Sequence, residues 1–338
     1  MNNLVIFGGC GFIGVNYANK NLHNFDKIFL VDLNKPKNLF LINKFNKLIE
    51  STKVFFINGD IRNDLINLDI NNISLIVDFA AIHREPGHRE EEYFNTNVVG
   101  SNNICNFAKN RNCSNIIFTS SISVYGSGDH KKNEDTKPLP DTPYGKSKLQ
   151  SENNYIKWLE NDKKNRILTI CRPGVVFGPG ERGNVTRLVK IVKKKLFFFM
   201  GNKDLYKSGI YIDELINALI WVNTKQKDKE FNNFVLFNGS FNPCPKLDDY
   251  VMAIQETLNI KNKIFGIPKK IILRFINLTS FITKNLRSDS SLNFIRLKKL
   301  FRSNNVEPNF LIKKKYNFKF NLINSMKEWK QINKNDWF

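Results

Sequence analysis

Residues 4–14 have the sequence LVIFGGCGFIG, in which four apolar residues run directly into a glycine-rich turn. The apolar run predicts a short buried strand, and the segment after the turn has helical spacing. Glycines make such a turn tight, let backbone N–H groups approach a pyrophosphate, and let the helix pack against the strand. The stretch therefore predicts a strand–turn–helix unit that binds a dinucleotide. The expected contacts are Gly8, Gly11, Phe12, Ile13 and Gly14.

The end of the next apolar run, Lys27–Val31, carries an acidic residue, Asp32. It falls about 20 residues beyond the turn, where a carboxylate bonds the ribose hydroxyls of the dinucleotide. A carboxylate at this point repels the 2′-phosphate of NADP, so the predicted cofactor is NAD. Asp60 follows a third run and can reach the adenine edge, although a plain helix cap explains it equally well. Its neighbour Ile61 and the small residues Ala80 and Ala81 complete the predicted cofactor site.

Strand-like apolar runs alternate with longer segments of helical spacing, such as Asn97–Lys109 and Tyr144–Leu159. This alternation predicts an α/β protein with a Rossmann-type, doubly wound parallel sheet. After Pro173 the pattern changes, and a strand over Leu196–Met200 and a helix over Tyr211–Val222 are expected. The predicted strands of the sheet are Leu4–Phe7, Lys27–Val31, Val54–Ile57, Leu75–Phe79, Ile116–Thr119 and Leu168–Cys171.

The change of pattern divides the chain into two parts. We expect a dinucleotide-binding domain over residues 1–174, to which residues 209–240 return. A smaller, mostly helical lobe over residues 175–208 and 241–338 is expected to bind substrate.

Composition excludes several classes of protein. Hydrophobic residues make up 41% of the 338 residues, which is too many for a disordered chain. The formal net charge is +21, but the lysines are dispersed and form no basic tract with interleaved aromatics, so nucleic acid is not an expected partner. Five cysteines without a C-x-x-C pair indicate neither disulfides nor zinc, and the chain shows no signal peptide. These features favour a cytoplasmic protein.

Residues 144–148, with the sequence YGKSK, carry the strongest chemical signal. On a helix, Tyr144 and Lys148 share one face. A phenol titrates near 10, and a neighbouring ammonium is expected to lower that pKa so that Tyr144 can take a proton. An exposed Tyr–Lys pair on a solvated helix is the alternative. Ser121 ends a predicted strand, where ligands bind in an open α/β sheet, although a serine-rich turn would look the same.

Taken together, these motifs resemble the extended short-chain dehydrogenase/reductase family, in its nucleotide-sugar epimerase/dehydratase branch. The resemblance implies that Ser121, Tyr144 and Lys148 are the catalytic residues. It also implies that Asn97 supports the active-site helix beside the cofactor, and that relatives pair as homodimers. The motifs that carry it are Gly8–Gly14, Asp32, Asp60-Ile61-Arg62, Asn95-Thr96-Asn97, Thr119–Gly126, Tyr144–Lys148 and residues 171–180.

The same resemblance implies a nucleotide-diphosphate sugar as substrate. Its diphosphate would meet Asn184, Lys207 and Arg296, and its sugar would meet His83, Arg84 and Ser123. Lys207 departs from the family, in which an Arg is common and gives a two-pronged contact. Any of these charges could instead be a solvated surface group, and His83 could be a structural histidine. His83 and His88 form no expected metal site, because Pro86-Gly87 breaks a helix that could align them.

The two residues after Ser121 limit which reactions the predicted site can catalyse. Dehydratases of this branch carry Asp-Glu there, whereas this chain has Ile122 and Ser123, which disfavours 4,6-dehydration. What remains is oxidation and reduction at one ring carbon, C4, by a 4-epimerase of cell-surface polysaccharide biosynthesis. A 4-reductase or dehydrogenase, a steroid- or flavonoid-type reductase and a non-catalytic NAD-binding module stay open. Residues 268–284 could rest on a membrane surface or form an apolar helix of the second lobe.

Overall fold

A computed structural model describes residues 1–85, 87–268 and 302–338. Arg296 and nearly all of the predicted membrane-contact segment therefore lie outside the described residues. The strands are β1 (Asn3–Phe7), β2 (Lys27–Asp32), β3 (Val54–Asn58), β4 (Ile73–Asp78), β5 (Asn115–Thr119), β6 (Gly128–Lys132), β7 (Ile167–Pro173), β8 (Val175–Phe177), β9 (Phe199–Met200), β10 (Gly209–Tyr211), β11 (Phe234–Gly239), β12 (Gly266–Ile267) and β13 (Asn304–Val306).

Helices connect most of these strands, and no helix in the described ranges is long and apolar enough to cross a membrane. A π-helical turn over Phe94–Val99 joins α3 to α4, and short 3₁₀ turns cover Ile122–Tyr125 and Lys334–Trp337. The helices are α1 (Phe12–Asn21), α2 (Leu39–Glu50), α3 (Glu90–Tyr93), α4 (Gly100–Asn110), α5 (Pro143–Glu160), α6 (Asn184–Lys193), α7 (Ile212–Lys227), α8 (Leu247–Leu258), α9 (Asn309–Lys313) and α10 (Leu322–Ile332).

Seven strands form one parallel sheet in the order β11-β7-β5-β4-β1-β2-β3. The order reverses between β1 and β4, which creates the switch point where ligands bind in this class of sheet. Phe7 pairs with Val31 on one side and with Asp78 on the other, so the carboxyl ends of β1, β2 and β4 lie along one edge. The predicted doubly wound Rossmann-type sheet is confirmed.

Helices cover both faces of the sheet, and β1 shows why. Leu4 and Ile6 lie in one buried cluster together with Val15 of α1, whereas Val5 and Phe7 lie in the other. Because alternate side chains of a strand point to opposite faces, a strand that is apolar at every position needs a core on each side. Burial of both faces fixes the strand ends, and therefore the site, in a rigid frame.

The structure corrects three predicted elements. Only Phe199–Met200 of the expected strand Leu196–Met200 is extended, paired with β12, because Leu196 is 68% exposed and has no strand beside it in the described chain. The expected helix from Tyr211 begins at Ile212, because Tyr211 ends β10 and pairs with Phe177. The expected helix from Asn97 begins at Gly100, after the π-helical turn. The two-lobe division of the chain stays a prediction.

Candidate active site

The glycine turn lies against the end of β4. Gly8 has φ +70, a conformation that favours glycine, and a Cβ there would lie 2.6 Å from the backbone nitrogen of Ala80. A Cβ on Gly14 would collide with the carbonyl oxygen of Gly8. The turn, the first turn of α1 and the predicted contact Ala80 are therefore packed backbone against backbone. This cradle leaves the N-terminal N–H groups of α1 at the sheet edge, as a pyrophosphate requires.

Asp32 lies beside this turn, as predicted. Its Oδ2 accepts a hydrogen bond from the backbone N–H of Cys10 over 3.0 Å, which ties the end of β2 to the turn. Burial raises the pKa of the Asp32 carboxyl, while the N–H groups of Cys10, Asn34 and Leu33 lower it. The half-buried carboxylate is thus held in place next to the expected dinucleotide.

Asp60 and Ile61 are engaged within the chain. Asp60 accepts from the Arg62 guanidinium, with Nη2 to Oδ2 at 2.6 Å, and this bond holds the pKa of Asp60 below its usual value. The side chain of Ile61 packs where Gly100 of α4 leaves room for it. Contact of Asp60, Ile61, Ala80 and Ala81 with a cofactor stays a prediction.

The predicted catalytic hydroxyls come together at the start of α5. Thr142 caps this helix, since its Oγ1 accepts from the backbone N–H of Gly145 over 3.1 Å. The Ser121 hydroxyl lies within hydrogen-bonding reach of the Tyr144 phenol. It also donates to the Ser123 hydroxyl over 3.1 Å. Residues from the end of β5 and from α5 therefore meet at one point.

The expected direction of the Tyr144 pKa is wrong. Burial raises the pKa of this phenol to about 12, and the bond from Ser121 only partly opposes that rise. Burial also lowers the pKa of Lys148 to about 8, against the attraction of Asp78 and Glu152. The Lys148 ammonium lies 4.1 Å from the centre of the Phe118 ring. Burial of the phenol thus outweighs the hydrogen bond from Ser121, and it is the larger influence on the Tyr144 pKa.

Asn97 connects the loop after β4 to α5. Its amide nitrogen donates to Ser147 Oγ over 2.9 Å and to the Ile82 carbonyl over 3.2 Å, and its amide oxygen accepts from the N–H of Ile82 over 3.0 Å. The Ser151 hydroxyl donates to the Asn97 carbonyl over 2.8 Å. π-Helical turns are frequent at functional sites, and this one lets Asn97 face both partners. The contacts agree with the implied role of Asn97 as a support for α5.

Asp78 is a site residue that the sequence reasoning missed. It is 2% exposed, and its two oxygens accept hydrogen bonds from the Tyr155 hydroxyl over 2.7 Å and from the Ala80 N–H over 2.9 Å. It pairs in register with Phe118, over whose ring Lys148 lies. The sequence signal that could have identified Asp78 is its carboxylate inside the apolar run of β4, because buried acids are rare unless they are paired.

A second buried pair was also missed. Glu152 of α5 accepts two hydrogen bonds from the Arg172 guanidinium of β7, over 2.8 and 2.6 Å. The guanidinium carbon lies 4.8 Å from the centre of the Tyr125 ring, and the Tyr125 hydroxyl donates to Asn238 over 2.9 Å. This network fixes α5 and the turn that carries Ser121 to the sheet.

The loop with the predicted sugar contacts is held next to the catalytic tyrosine. The Tyr93 hydroxyl donates to the carbonyl of Arg84, and the Tyr93 ring centre lies 6.3 Å from that of Tyr144. His83 and Arg84 are exposed on this loop, where a ligand can reach them. Within the described ranges, no group of His, Cys, Asp and Glu could hold a metal ion.

Two of the three predicted diphosphate contacts, Asn184 and Lys207, lie among the described residues. Asn184 is exposed at the first residue of α6, but the first-turn N–H of Thr186 is already bonded to Glu181 over 3.2 Å. Lys207 donates to the Arg302 carbonyl over 2.5 Å, and burial lowers the pKa of its ammonium to about 8. Their contact with a diphosphate stays a prediction, and Arg296 lies outside the described residues.

Comparison with known protein families shows which family this chain belongs to. The sequence profile of the 3-beta hydroxysteroid dehydrogenase/isomerase family matches residues 5–268. The chain belongs to this family. The family places the chain among the extended short-chain dehydrogenases, as the motifs implied, and makes it an enzyme of the oxidoreductase and isomerase type.

Two proteins similar to this chain differ in the substrates that their names state. The chain is 28% identical, over 261 residues, to N-acetyl-alpha-D-glucosaminyl-diphospho-ditrans,octacis-undecaprenol 4-epimerase of Escherichia coli O157:H7, covering 77% of this chain and 73% of the relative. It is 25% identical, over 321 residues, to the decarboxylating sterol-4-alpha-carboxylate 3-dehydrogenase of Candida albicans, covering 88% and 87%.

Among solved structures, UDP-glucuronic acid 4-epimerase from Bacillus cereus in complex with NAD superposes with a TM-score of 0.76. The sequence identity is 18%, and the match covers 99% of this chain and 100% of that one. This structural similarity confirms the fold of this chain.

Proposed function

We propose that this chain is an NAD-dependent 4-epimerase that acts on a sugar carried by a diphosphate. One observation carries the proposal: the hydroxyls of Ser121 and Tyr144 meet at the carboxyl edge of the sheet, where the glycine turn lies. The 4-epimerase of Escherichia coli O157:H7 supports the reaction, since it matches three quarters of the chain.

NAD fits the cradle described above. The turn at Gly8 is packed so closely on Ala80 that no side chain larger than hydrogen fits between them. The backbone N–H groups at the start of α1 would bind the pyrophosphate. Asp32 would bind the adenosine ribose and Lys148 the nicotinamide ribose. When bound, NAD supplies a hydride acceptor and donor together with a positive charge that favours the phenolate form of Tyr144.

The chain's own residues move the proton. Tyr144 would accept the proton of the sugar C4 hydroxyl as that carbon is oxidised, and would return it when the carbon is reduced. Ser121 would turn its hydroxyl from Ser123 to donate a hydrogen bond to the reacting oxygen, and Lys148 would stabilise the phenolate across one helical turn. Inversion requires the 4-keto sugar to turn over between the two steps. The loop at His83 and Arg84, which Tyr93 links to Tyr144, would contact the sugar in both orientations.

Water loss is not supported by the groups beside Ser121. Ile122 is buried and apolar, and Ser123 is a hydroxyl that already accepts from Ser121. Neither can act as the acid and base pair of a 4,6-dehydratase. The site therefore favours redox chemistry at one carbon.

The carrier of the sugar can be tested directly. The purified chain is incubated with NAD and, in separate reactions, with UDP-glucose, UDP-N-acetylglucosamine, UDP-glucuronic acid and polyprenyl-diphospho-N-acetylglucosamine. We expect one of these sugars to give its C4 epimer with no net NADH. Failure to epimerise any of them by a chain that binds NAD would contradict the proposal.

A dehydrogenase is the second candidate, because the sterol dehydrogenase of Candida albicans matches 88% of the chain. The two functions differ in the fate of the hydride. An epimerase returns it to the sugar, whereas a dehydrogenase releases NADH, so the absorbance of NADH rises with each turnover. A sterol 4-carboxylate added to the same panel, with accumulation of NADH, would favour this candidate.

Three further proposals come from the resemblance. We propose a homodimer, a cytoplasmic location and a role in cell-surface polysaccharide biosynthesis. Light scattering of the purified chain tests the first. A deletion strain with altered surface polysaccharide, restored by the wild-type chain and not by a Tyr144→Phe variant, tests the third.

A further inference from the structure

The C-terminal end of α6 leads into an edge that is both basic and apolar. We call it the basic-apolar edge and define it by Lys194, Lys195, Leu196, Phe198, Lys263 and Phe265. The backbone N–H of Phe199 donates to the Phe265 carbonyl over 2.9 Å, so the two chain segments run side by side. Lys195, Phe198, Lys263 and Phe265 line one cavity of about 170 Å³. Lys194 and Leu196 flank Lys195 in the sequence, so they lie next to this cavity.

Large apolar side chains project from this edge into solvent. Phe265 is 77% exposed, Leu196 is 68% exposed and Phe198 is 42% exposed. Single exposed apolar residues need no explanation, whereas neighbouring ones form the kind of patch that binds a partner or a membrane. Neither Leu196 nor Phe265 contributes to the buried clusters of the described chain.

Charge identifies the partner. No carboxylate of residues 1–85, 87–268 or 302–338 lies within ion-pair distance of Lys194, Lys195 or Lys263. A second copy placed on this edge by a two-fold axis would set the same lysines against each other. The chain carries a net charge of +21, which adds to that repulsion. Apolar side chains that insert while adjacent lysines meet anionic headgroups are the features of an interfacial membrane contact.

We propose that the basic-apolar edge docks the enzyme on an anionic lipid bilayer. Leu196, Phe198 and Phe265 enter the headgroup layer, and the three lysines meet lipid phosphates. The surface lies among described residues and is separate from the segment 268–284. The proposal does not rest on the epimerase reaction, because docking needs no turnover. Since α6 has ten residues, its first residue, Asn184, lies roughly 15 Å from the edge, within reach of a diphosphate near the headgroups.

The test is co-sedimentation of the full chain with vesicles. One set contains phosphatidylglycerol and phosphatidylcholine, and the other contains phosphatidylcholine alone. We expect binding to the anionic set, weakened by salt. Lys194→Gln and Lys195→Gln together should lower the partition coefficient by about fivefold for each charge removed. A Leu196→Ser/Phe265→Ser variant should lower it at all salt concentrations.

Matched variants separate the edge from the overall charge. Lys53→Gln/Lys109→Gln removes the same two charges elsewhere, and Leu39→Ser/Ile66→Ser removes two exposed apolar residues of similar exposure. Both should bind vesicles almost as well as wild type. In a Phe265→Trp variant, brominated lipids should quench the added fluorescence, whereas the wild-type signal should change little.

Four results would overturn the proposal. The wild-type chain could fail to bind anionic vesicles at low salt. The Lys53/Lys109 control could lose as much binding as the edge variant, which would assign binding to net charge. The Leu196/Phe265 variant could become monomeric while wild type is dimeric, which would make the edge a subunit interface. The same variant could lose thermal stability instead, which would make it a packing surface within the chain.

Discussion

The Tyr155 hydroxyl donates a hydrogen bond to the Asp78 carboxylate over 2.7 Å, in a part of the core that water does not reach. This bond joins α5 to β4. Lys148, four residues before Glu152 and seven before Tyr155, lies on the same side of α5 and above Phe118. Burial raises the pKa of Asp78, and the Lys148 charge opposes that rise. Asp78 therefore keeps the Lys148 ammonium charged in a site that otherwise favours its neutral form.

An Asp78→Asn variant should lose activity at a lower alkaline pH than the wild type does. The pKa of Lys148 is about 8 and is raised by both Asp78 and Glu152, so loss of the Asp78 charge lowers it. Lys148 then loses its proton at a lower pH, and the alkaline limb of the turnover profile should move down by about one unit. The other titratable groups around Asp78 and Lys148 are Glu152, which is paired with Arg172, and Cys105, Tyr155 and His83.

Tyr155→Phe is the matched control for Asp78→Asn. It removes the hydrogen bond but keeps the carboxylate charge, so the alkaline limb should stay close to that of wild type. An unchanged limb in Asp78→Asn, with only a lower melting temperature, would show that Asp78 has a purely structural role.

Tyr144→Phe should lower turnover by roughly 10²- to 10⁴-fold, because it removes the hydroxyl that exchanges the proton with the sugar. NAD binding, followed by fluorescence titration, should change little, since Lys148 and the glycine turn are intact. Ser121→Ala should be less severe. Tyr206→Phe, a change outside the site, serves as control and should leave turnover unaltered. Turnover near that of wild type in Tyr144→Phe would exclude the phenol as the proton carrier.

Asp32→Asn should weaken the preference for NAD over NADP. The substitution keeps an oxygen that can accept from the Cys10 N–H and removes the negative charge that repels a 2′-phosphate. We expect the ratio of the two dissociation constants to shift toward NADP by tenfold or more, which corresponds to about 1.4 kcal/mol. Calorimetric titration of each dinucleotide measures it. Equal shifts in both constants would mean that Asp32 acts only on the shape of the turn.

The sequence predicted the strands well and the electrostatics poorly. The run Leu4–Phe7 and the glycines after it are local signals, and β1 with its turn is where they place it. Asp78 and Tyr155 lie 77 residues apart, and their pairing follows only from the packing of α5 on β4. The pKa of Tyr144 likewise depends on burial by distant segments, which residue spacing does not report. Local geometry was therefore predictable, and the free energy of charging the site was not.

Arg172→Met should destabilise the fold by about 3–5 kcal/mol, because it leaves the Glu152 carboxylate buried without its partner. The two side chains are 5% and 2% exposed, so solvent cannot replace the lost bonds. An Arg172→Met/Glu152→Leu double variant removes both charges and should recover most of that loss. Urea unfolding of the wild type and the three variants, including Glu152→Leu, measures the coupling. Additive losses in the double variant would show that the pair is not coupled.

Gly8→Ala should abolish NAD binding in a chain that still folds. The added Cβ would lie 2.6 Å from the Ala80 nitrogen, so the turn must move away from β4, and φ +70 alone costs an L-residue about 1–2 kcal/mol. Such a movement displaces the N–H groups that the pyrophosphate needs. Gly266→Ala is the control, because the nearest atom to its added Cβ is 3.8 Å away. Melting temperature and NAD titration should separate the two variants, and retained NAD affinity in Gly8→Ala would mean that the cradle is not the dinucleotide site.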